Sequence, residues 1–377
     1  MFSKRPVDPV PVPTVSDSDH WSIPRGLIVL LGAAATVVAV AGMKSFSGIL
    51  GPVFLALMLT IAVQPIQDWA QKRGWPKWIG MLGALVTVYL ILIGLVASLV
   101  VSTAQLATIL PEYSDKMGEL LNQARTSLAD FGVDTQQIQN TVSSVDLTKV
   151  LAVVETALQS LLGVLSDLVF ILALLLFMAF DGMSIRSRLG ILAEVRPEIS
   201  YALSTFASGT RKYLVVSTVF GLIVAVLDGG ALWLMGIPLP ILWALLSFIT
   251  NYIPNIGFVI GVIPPALLGL LQGGPWLMLW VIVVYSVINF VIQSIIQPKF
   301  VGDAVGISVT MTFLSLVFWS WVLGALGALL AIPLSLLVKA VLLDIDPTTR
   351  WADILISGPK EVPKEVPKES SEKESPP

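Results

Sequence analysis

The chain has 377 residues, of which 55% are hydrophobic and only 12% are charged, and its mean hydropathy is +0.87. Soluble domains carry about 25% charged residues, so this composition is typical of a multi-pass membrane protein. The net charge of −3 gives no support for a nucleic-acid partner, and the lack of cysteine excludes disulfides, thiolate metal sites and cysteine nucleophiles.

The chain begins with a polar tail, residues 1–24, whose Pro, Ser and Asp content predicts disorder. This tail contains His20, the only histidine of the sequence. Without other histidines and without cysteine, we expect no histidine-based or cysteine-based catalysis, no metal site and no cofactor. The protein is therefore predicted not to be an enzyme.

Full membrane spans are predicted wherever about 20 apolar residues follow one another. They are expected near 27–43, 46–63, 79–103, 161–180, 213–235 and 276–296. The first three lie within residues 25–103, and the last three lie within a transport core, residues 161–345. Between them, residues 104–160 repeat apolar side chains at helical spacing, which predicts amphipathic helices. A lid, an oligomer contact and a position on the bilayer surface all remain open for this insertion.

Two apolar stretches, 236–271 and 306–341, are each too long for one span and too short for two. Gly and Pro interrupt both, and a shift of 70 positions aligns Gly236 with Gly306 and Gly257 with Gly327. Such stretches favour helical hairpins that enter and leave the bilayer on one face. Paired interrupted segments also point to the substrate site of a transporter. Whether the pair is an inverted repeat or a chance likeness remains open.

Charge sets the predicted orientation. Segments 64–78 and 181–212 are rich in Lys and Arg, whereas 104–160 has three basic residues against seven acidic ones. Basic loops stay cytoplasmic, so we expect 104–160 outside and both termini inside. Residues 346–377 carry a KEVP repeat and are predicted to form a disordered cytoplasmic tail. In this orientation the first hairpin enters from outside and the second from the cytoplasm.

The centre of the first hairpin reads NYIPNIG and offers candidate ligands for a polar solute. Pro254 removes a backbone donor and Gly257 permits tight geometry, so the break is expected to leave backbone carbonyls and amides unpaired. The side-chain amides of Asn251 and Asn255 can both donate and accept hydrogen bonds. These four residues are the predicted substrate-binding set. The alternative is that the two asparagines only cap the break.

Other candidate residues lie outside this break. One set shares a helical face and is predicted to line a pathway or, alternatively, to hold helices together: Ser286, Asn289, Gln293 and Gln297. A second set offers small residues and a helix breaker in the second hairpin, and is predicted to gate: Gly324, Gly327 and Pro333. Asp228 is a carboxylate inside a predicted span, which makes it a candidate proton or sodium ligand. The alternative is a hydrated position at the outer interface.

Three segments in order carry a family resemblance: WALLSFITNYIPNIGFVIGVIPPALLGLLQGG, NFVIQSIIQPKFVG and SLVFWSWVLGALGALLAIPLSLLVKAVL. They closely resemble the autoinducer-2 exporter (AI-2E) family of bacterial membrane proteins. The resemblance covers about residues 25–345 and is most specific over 211–340. It implies export of a small polar signalling metabolite such as autoinducer-2 across the bacterial inner membrane. It also implies sodium or lithium/proton antiport in some members, and homo-oligomers such as pentamers.

The chain departs from the family pattern at three places. Ser217-Thr218 stands where relatives often have Lys-Thr, Gln297 where they often have Glu, and Gly324-Ala325 where they often have Gly-Pro. A shared ion-coupling mechanism is less secure without that acid and that base.

The sequence thus predicts an all-α membrane protein with about six full transmembrane helices and two re-entrant hairpins. It also predicts an extracytoplasmic helical insertion. The favoured function is secondary transport of a small polar solute by alternating access at the hairpin breaks, with H⁺ or Na⁺ as a candidate second partner. Two alternatives remain, a cation/proton antiporter that uses Asp228 and a non-transporting scaffold that acts through 104–160 and the tails.

Overall fold

Helices are the only regular secondary structure in the part of the chain that the computed structural model describes, namely residues 24–113, scattered positions between 116 and 126, 147–254, 256–297 and 308–346. The α-helices are α1 (Arg25–Ser45), α2 (Ser47–Ala62), α3 (Gln64–Lys72), α4 (Lys77–Ile109), α5 (Leu147–Val195), α6 (Pro197–Leu234), α7 (Pro240–Thr250), α8 (Gly257–Asn289), α9 (Val309–Leu329) and α10 (Ala331–Lys339). Short π-helices follow α8 and α10, at Phe290–Ile296 and Ala340–Asp344. The centre of the predicted insertion, nearly all of both predicted tails and Asn255 lie outside the described residues.

Seven helical stretches among the described residues are long and apolar enough to cross a membrane. They confirm the prediction of an all-helical, multi-pass membrane protein. Two of them, Gly257–Ile296 and Val309–Leu329, are not continuous α-helices, because Gly274 and Gly324 take left-handed φ values of 75° and 68° inside them. Gly324 lies inside the predicted second hairpin, 306–341, whereas Gly274 lies three residues beyond the predicted first hairpin, 236–271.

Helix α1 forms one compact unit, and the residues from Phe46 onward form the other. Helix α1 is apolar between Arg25 and Lys44 near its ends. At 1.5 Å per residue its 21 residues extend about 31 Å, enough for the hydrocarbon core. In the second unit, α2, α4 and α5 share a core of small and aliphatic side chains that includes Ala56, Leu85 and Leu175.

Helices α6, α7 and α8 share a second core, to which Leu232, Trp243 and Val281 contribute. This core holds the first hairpin. Helix α7 packs against α8 across a break at residues 251–256. At Gly257, a Cβ atom would overlap the carbonyl oxygen of Thr250, so only glycine lets the two arms approach this closely at the break.

The first hairpin is anchored at its open end by two left-handed glycines, Gly236 (φ 74°) and Gly274 (φ 75°). The side chain of Gln272 donates a 2.8 Å hydrogen bond to the carbonyl oxygen of Gly236. The chain therefore enters and leaves this hairpin at neighbouring points.

The second hairpin consists of α9, turned at Gly324, and α10. The indole Nε1 of Trp319 donates a 3.1 Å hydrogen bond to the Ser335 hydroxyl across the two arms. At Gly327 a Cβ would overlap the Trp319 carbonyl oxygen, which is the same constraint that Gly257 meets in the first hairpin. This shared constraint falls on a pair that the 70-residue shift aligns. Common descent of the two hairpins remains a prediction.

The basic segment 181–212 is helical, although the sequence analysis treats it as a polar loop. Helix α5 continues to Val195 and α6 begins at Pro197, with only Arg196 between them. Arg, Leu, Ala and Glu favour helix, so α5 extends beyond the apolar stretch. The helix stops because a residue before proline prefers extended backbone, and Arg196 has φ −143° and ψ 77°.

Candidate functional site

The most deeply buried ionisable side chain of the described chain is the carboxyl group of Asp228 on α6, with a relative exposure of 0%. The Ser247 hydroxyl on α7 donates a 2.9 Å hydrogen bond to its Oδ2 atom. The Oδ1 atom has no hydrogen-bond partner among the described residues. The Asp228 carboxyl group is therefore enclosed by protein, whereas the alternative prediction places it in water at the outer interface.

Two residues of α8 face the same carboxyl group. Tyr285 is 1% exposed and its hydroxyl also lacks a hydrogen-bond partner within the described chain. Asn289 is buried one turn further along, with its Nδ2 atom donating a 2.9 Å hydrogen bond to the Tyr285 carbonyl oxygen. The Asp228 Oδ1 and the Tyr285 hydroxyl are thus two buried polar atoms with no hydrogen-bond partner among the described residues, which makes them candidates to contact a bound species.

Gln293 connects this group to the break of the first hairpin. Its Nε2 atom donates to the Oδ1 atom of Asn289 at 2.8 Å and to the Oδ1 atom of Asn251 at 3.1 Å. The Asn251 Nδ2 atom in turn donates to the Ser217 carbonyl oxygen on α6 at 3.0 Å. Asn251 from the predicted binding set and Asn289 and Gln293 from the predicted pathway set therefore share one hydrogen-bonded network.

Further contacts fasten the tip of the hairpin to α6. The Tyr213 hydroxyl donates a 2.9 Å hydrogen bond to the Tyr252 carbonyl oxygen. The hydroxyls of Thr218 and Tyr252 lie 2.6 Å apart and hydrogen bond to each other. Ser217 and Asp228 are 11 positions apart on α6, which corresponds to about 16 Å along the helix. The network thus begins at the hairpin tip beside Ser217, and its buried member Asn289 lies beside Asp228.

A π-helix places Gln293 within reach of both partners. It runs from Phe290 to Ile296, directly after Asn289. Because π-helices carry more residues per turn than α-helices, the side chains after Asn289 are rotated from the face that α-helical spacing predicts. Among the described residues, neither Ser286 nor Gln297 hydrogen bonds to the network, although the sequence places both on the same stripe.

At the break of the first hairpin, more backbone groups have hydrogen-bond partners than the sequence predicts. Within it, the carbonyl oxygens of Thr250, Ile253 and Pro254 accept hydrogen bonds of 2.8, 3.0 and 2.8 Å from nearby backbone amides. Turn-like hydrogen bonds of this kind replace those that the helix loses at Pro254. Three of the backbone carbonyls that the sequence leaves unpaired at the break therefore have partners.

The predicted gating residues lie in the second hairpin. Gly324 makes the left-handed turn, Gly327 allows close approach, and Pro333 is fully buried in α10. Leu326 also packs against α2, where a Cβ at Gly51 would meet its side chain at 3.0 Å. Within the described part of the chain, no hydrogen bond joins these three predicted residues to the network of the first hairpin.

Sequence reasoning missed Ser247 and Tyr285. Both carry a signal that was available, since Ser247 precedes Asn251 by four positions and Tyr285 precedes Asn289 by four. Positions four apart share a helix face. The contribution of Ser217, through its backbone carbonyl, had no signal of this kind.

No basic side chain compensates the Asp228 carboxyl group by an ion pair within the described chain. An isolated carboxylate inside a bilayer is costly. The arrangement therefore suits a carboxyl group that binds a proton, a cation or a solute donor. A polar network inside an apolar bundle, beside broken helices, is the architecture of a membrane transporter.

The chain belongs to the AI-2E family of transporters, whose family model ("AI-2E family transporter") matches residues 28–346. It is 29% identical over 315 residues to "Putative transport protein YhhT" of Escherichia coli K12, covering 83% of this chain and 90% of that protein. It is 26% identical over 318 residues to "AI-2 transport protein TqsA" of the same organism, covering 84% and 92%. A "Putative transport protein" of Haemophilus influenzae is 28% identical over 331 residues, covering 86% and 95%. These names agree with the prediction of a transporter rather than an enzyme.

Proposed function

We propose that this protein is a secondary transporter that exports a small polar signalling metabolite such as autoinducer-2. The observation that carries the proposal is the hydrogen-bonded network of Asn251, Asn289 and Gln293, which leads to Asp228 inside an apolar bundle. Polar side chains are costly in such surroundings unless they have partners or a function.

The relative TqsA, which is named for AI-2 transport, supports the choice of autoinducer-2. A small polyhydroxylated molecule fits a site of amides and a carboxyl group, because these groups offer both donors and acceptors. Asn251 and Gln293 bind the solute at the hairpin tip in this proposal, with Asn289 lining the route to Asp228. The predicted ligands Pro254, Asn255 and Gly257 remain part of the proposed site.

In the proposed mechanism, the hairpin breaks are exposed to the two sides of the membrane in turn. The first hairpin supplies the polar ligands. The second supplies Gly324, Gly327 and Pro333, where a change in backbone angle moves one arm against α2. No nucleotide-binding motif is present in the sequence, so the driving force is an ion gradient or the solute gradient itself.

The proposed location is the bacterial inner membrane, with both termini in the cytoplasm. The basic side chains of 64–78 and 181–212 support this orientation. In the structure Arg211 hydrogen bonds to Gln64, so the two basic segments meet at the same end of the bundle. The homo-oligomer that the family resemblance implies is retained as an expectation.

Efflux of autoinducer-2 from proteoliposomes tests the proposal. The wild-type protein is compared with Gln293→Ala, and Gln297→Ala serves as the matched control because it removes the same side chain one turn away and outside the network. The proposal predicts efflux for wild type and for Gln297→Ala, and a strong reduction for Gln293→Ala. Equal efflux by all three proteins would rule out the network as the binding site.

A second function, cation/proton antiport, is favoured by one specific observation, the buried Oδ1 atom of Asp228, which has no hydrogen-bond partner in the described part of the chain. A carboxyl group of this kind can take up H⁺ on one side of the membrane and exchange it for Na⁺. Sodium-driven proton movement in solute-free proteoliposomes, lost in Asp228→Asn, would support this function. Proton movement that persists in Asp228→Asn would exclude it.

A further inference from the structure

Most side chains of the polar network become more buried from the Thr218 end towards Asp228, although Tyr213 and Ser217 are already buried at the Thr218 end. Thr218 and Tyr252 lie at one end of the network, where Thr218 is exposed and Tyr252 is half-buried. Asn251 and Gln293 follow and are half-buried, then Asn289 is buried and Asp228 fully enclosed. A chain of polar groups that starts at the surface and ends at an enclosed carboxyl group has the form of an access route.

The Thr218 end of this route lies close to one membrane surface. Tyr213 and Thr218 follow Arg211 and Lys212 on α6 within two helical turns, and such basic residues mark the edge of a span. The hairpin tip contacts α6 at this level, whereas the open end of the hairpin begins at Gly236, just after α6 ends. The first hairpin therefore reaches across most of the membrane thickness, since Thr218 to Leu234 extends about 24 Å.

At the Thr218 end, the route is closed by contacts between the hairpin tip and α6. They are the Thr218–Tyr252 hydroxyl pair, the Tyr213 hydrogen bond to the Tyr252 carbonyl oxygen, and the Asn251 hydrogen bond to the Ser217 carbonyl oxygen. A Cβ at Gly221 would lie 2.9 Å from the Asn251 Nδ2 atom, so the tip is also tightly packed here. Separating the tip from α6 would break all of these contacts at once.

We propose that Tyr213, Thr218 and Tyr252 form a gate at the cytoplasmic end of the route, and that the tip of the first hairpin opens it by moving away from α6. The assignment of this gate to the cytoplasmic side rests on the orientation given under the proposed function. The gate itself is defined by the contacts, and it adds a second gating element to the glycines of the second hairpin. Gln293 links the gate to the interior, because its Nε2 atom bonds to Asn251 at the tip and to Asn289 beside Asp228.

Cysteine labelling tests the gate without any solute, because the chain has no cysteine of its own. Ser217→Cys introduces a small reactive thiol at a position that is 1% exposed and lies on α6 between the gate residues Tyr213 and Thr218. Its rate of reaction with a membrane-impermeant maleimide is measured in inside-out vesicles and in intact cells. Thr218→Val and Tyr252→Phe are then added singly, since each removes the hydroxyl pair and keeps the side-chain shape.

We expect either change to raise labelling from the cytoplasmic side about fivefold, the weight of one neutral hydrogen bond in an opening equilibrium. Thr87→Val is the matched control. Thr87 bonds only to the carbonyl oxygen four residues earlier on its own helix, and Thr218 makes the same local bond in addition to its contact with Tyr252. The control should leave labelling unchanged.

Labelling that stays at the rate of Ser217→Cys alone after either Thr218→Val or Tyr252→Phe is added would overturn the gate, and so would a rise seen only from outside. Loss of fold is tested with Ala56→Cys, a buried position in the core of α2, α4 and α5. An equal rise at Ala56→Cys would show general loosening and would also overturn the gate. Because no transport is measured, a positive labelling result stands even if autoinducer-2 is not the solute.

Discussion

Ser247 donates its hydroxyl hydrogen to only one of the two carboxyl oxygens of Asp228, at 2.9 Å, and leaves the other oxygen without a partner in the described chain. The two residues lie on different helices, Asp228 on α6 and Ser247 on α7. The first hairpin is therefore tied to α6 at its middle as well as at its tip. The free oxygen distinguishes this contact from a purely structural hydrogen bond, because a structural carboxyl group normally has both oxygens satisfied.

Asp228→Asn keeps the shape of the side chain and removes its charge and its ability to bind a proton. We expect solute efflux to lose its response to an imposed proton or sodium gradient, while thermal stability in detergent changes little. Efflux at matched solute gradients, with and without an ion gradient, is the measurement. Asp167→Asn, at an exposed position on α5, is the control and should retain the response. An unchanged gradient response in Asp228→Asn would remove this residue from ion coupling.

Tyr285→Phe removes a buried hydroxyl that has no partner among the described residues, so stability and function should respond in opposite directions. An unsatisfied buried polar group costs about 1–3 kcal/mol, and we expect the free energy of unfolding to stay equal or to rise by about 1 kcal/mol. Efflux should fall severalfold if the hydroxyl faces the transported species beside Asp228. Thermal unfolding and efflux of the same preparation provide both values. A loss of stability with efflux intact would contradict this assignment.

Gln293→Ala should lower efflux on the order of tenfold. The change leaves the Oδ1 atoms of both Asn251 and Asn289 without their shared donor, and each unpaired group costs about 1–3 kcal/mol. Initial rates over a range of solute concentrations separate weaker binding from slower transport. Gln297→Ala should remain within about twofold of wild type, and a matching loss in that control would show that any change to this helix end reduces transport.

Gly257→Ala should destabilise the fold by about 2 kcal/mol or more, because its Cβ would overlap the Thr250 carbonyl oxygen and force the arms of the hairpin apart. Gly230→Ala is the comparison, since a Cβ at that helical position has no neighbour within 4 Å. There we expect a gain of about 0.5–1 kcal/mol from helix propensity. Melting temperatures in detergent give the order of the two variants. Equal melting temperatures would show that the two arms can separate without cost.

Sequence alone predicts those parts of the site whose chemistry contrasts with their surroundings. Asp228, Asn251, Asn289 and Gln293 are polar side chains in apolar stretches, so each is conspicuous before any packing is known. Their convergence is not predictable in the same way, because it depends on which faces of α6, α7 and α8 meet. Ser247 and Tyr285 are common residues in membrane helices, and only their contact with Asp228 makes them notable.

The hairpins were predictable for a similar reason. Length and the positions of glycine and proline are enough to indicate a broken helix, and the breaks occur at residues 251–256 and at Gly324. The π-helix after Asn289 was not predictable from the spacing of polar residues. Gln297 makes no hydrogen bond to the network among the described residues, and its place on the pathway stays a prediction.

The hydrogen bond from Gln272 to the Gly236 carbonyl oxygen closes the first hairpin into a loop whose two ends nearly coincide. The remaining helices therefore do not depend on the length of the hairpin for their own spacing. Whole turns can be added to or removed from both arms together without shifting α6 relative to the helix that follows Gly274. Related proteins can therefore differ in the depth of the polar route while the other helices of the bundle keep their positions.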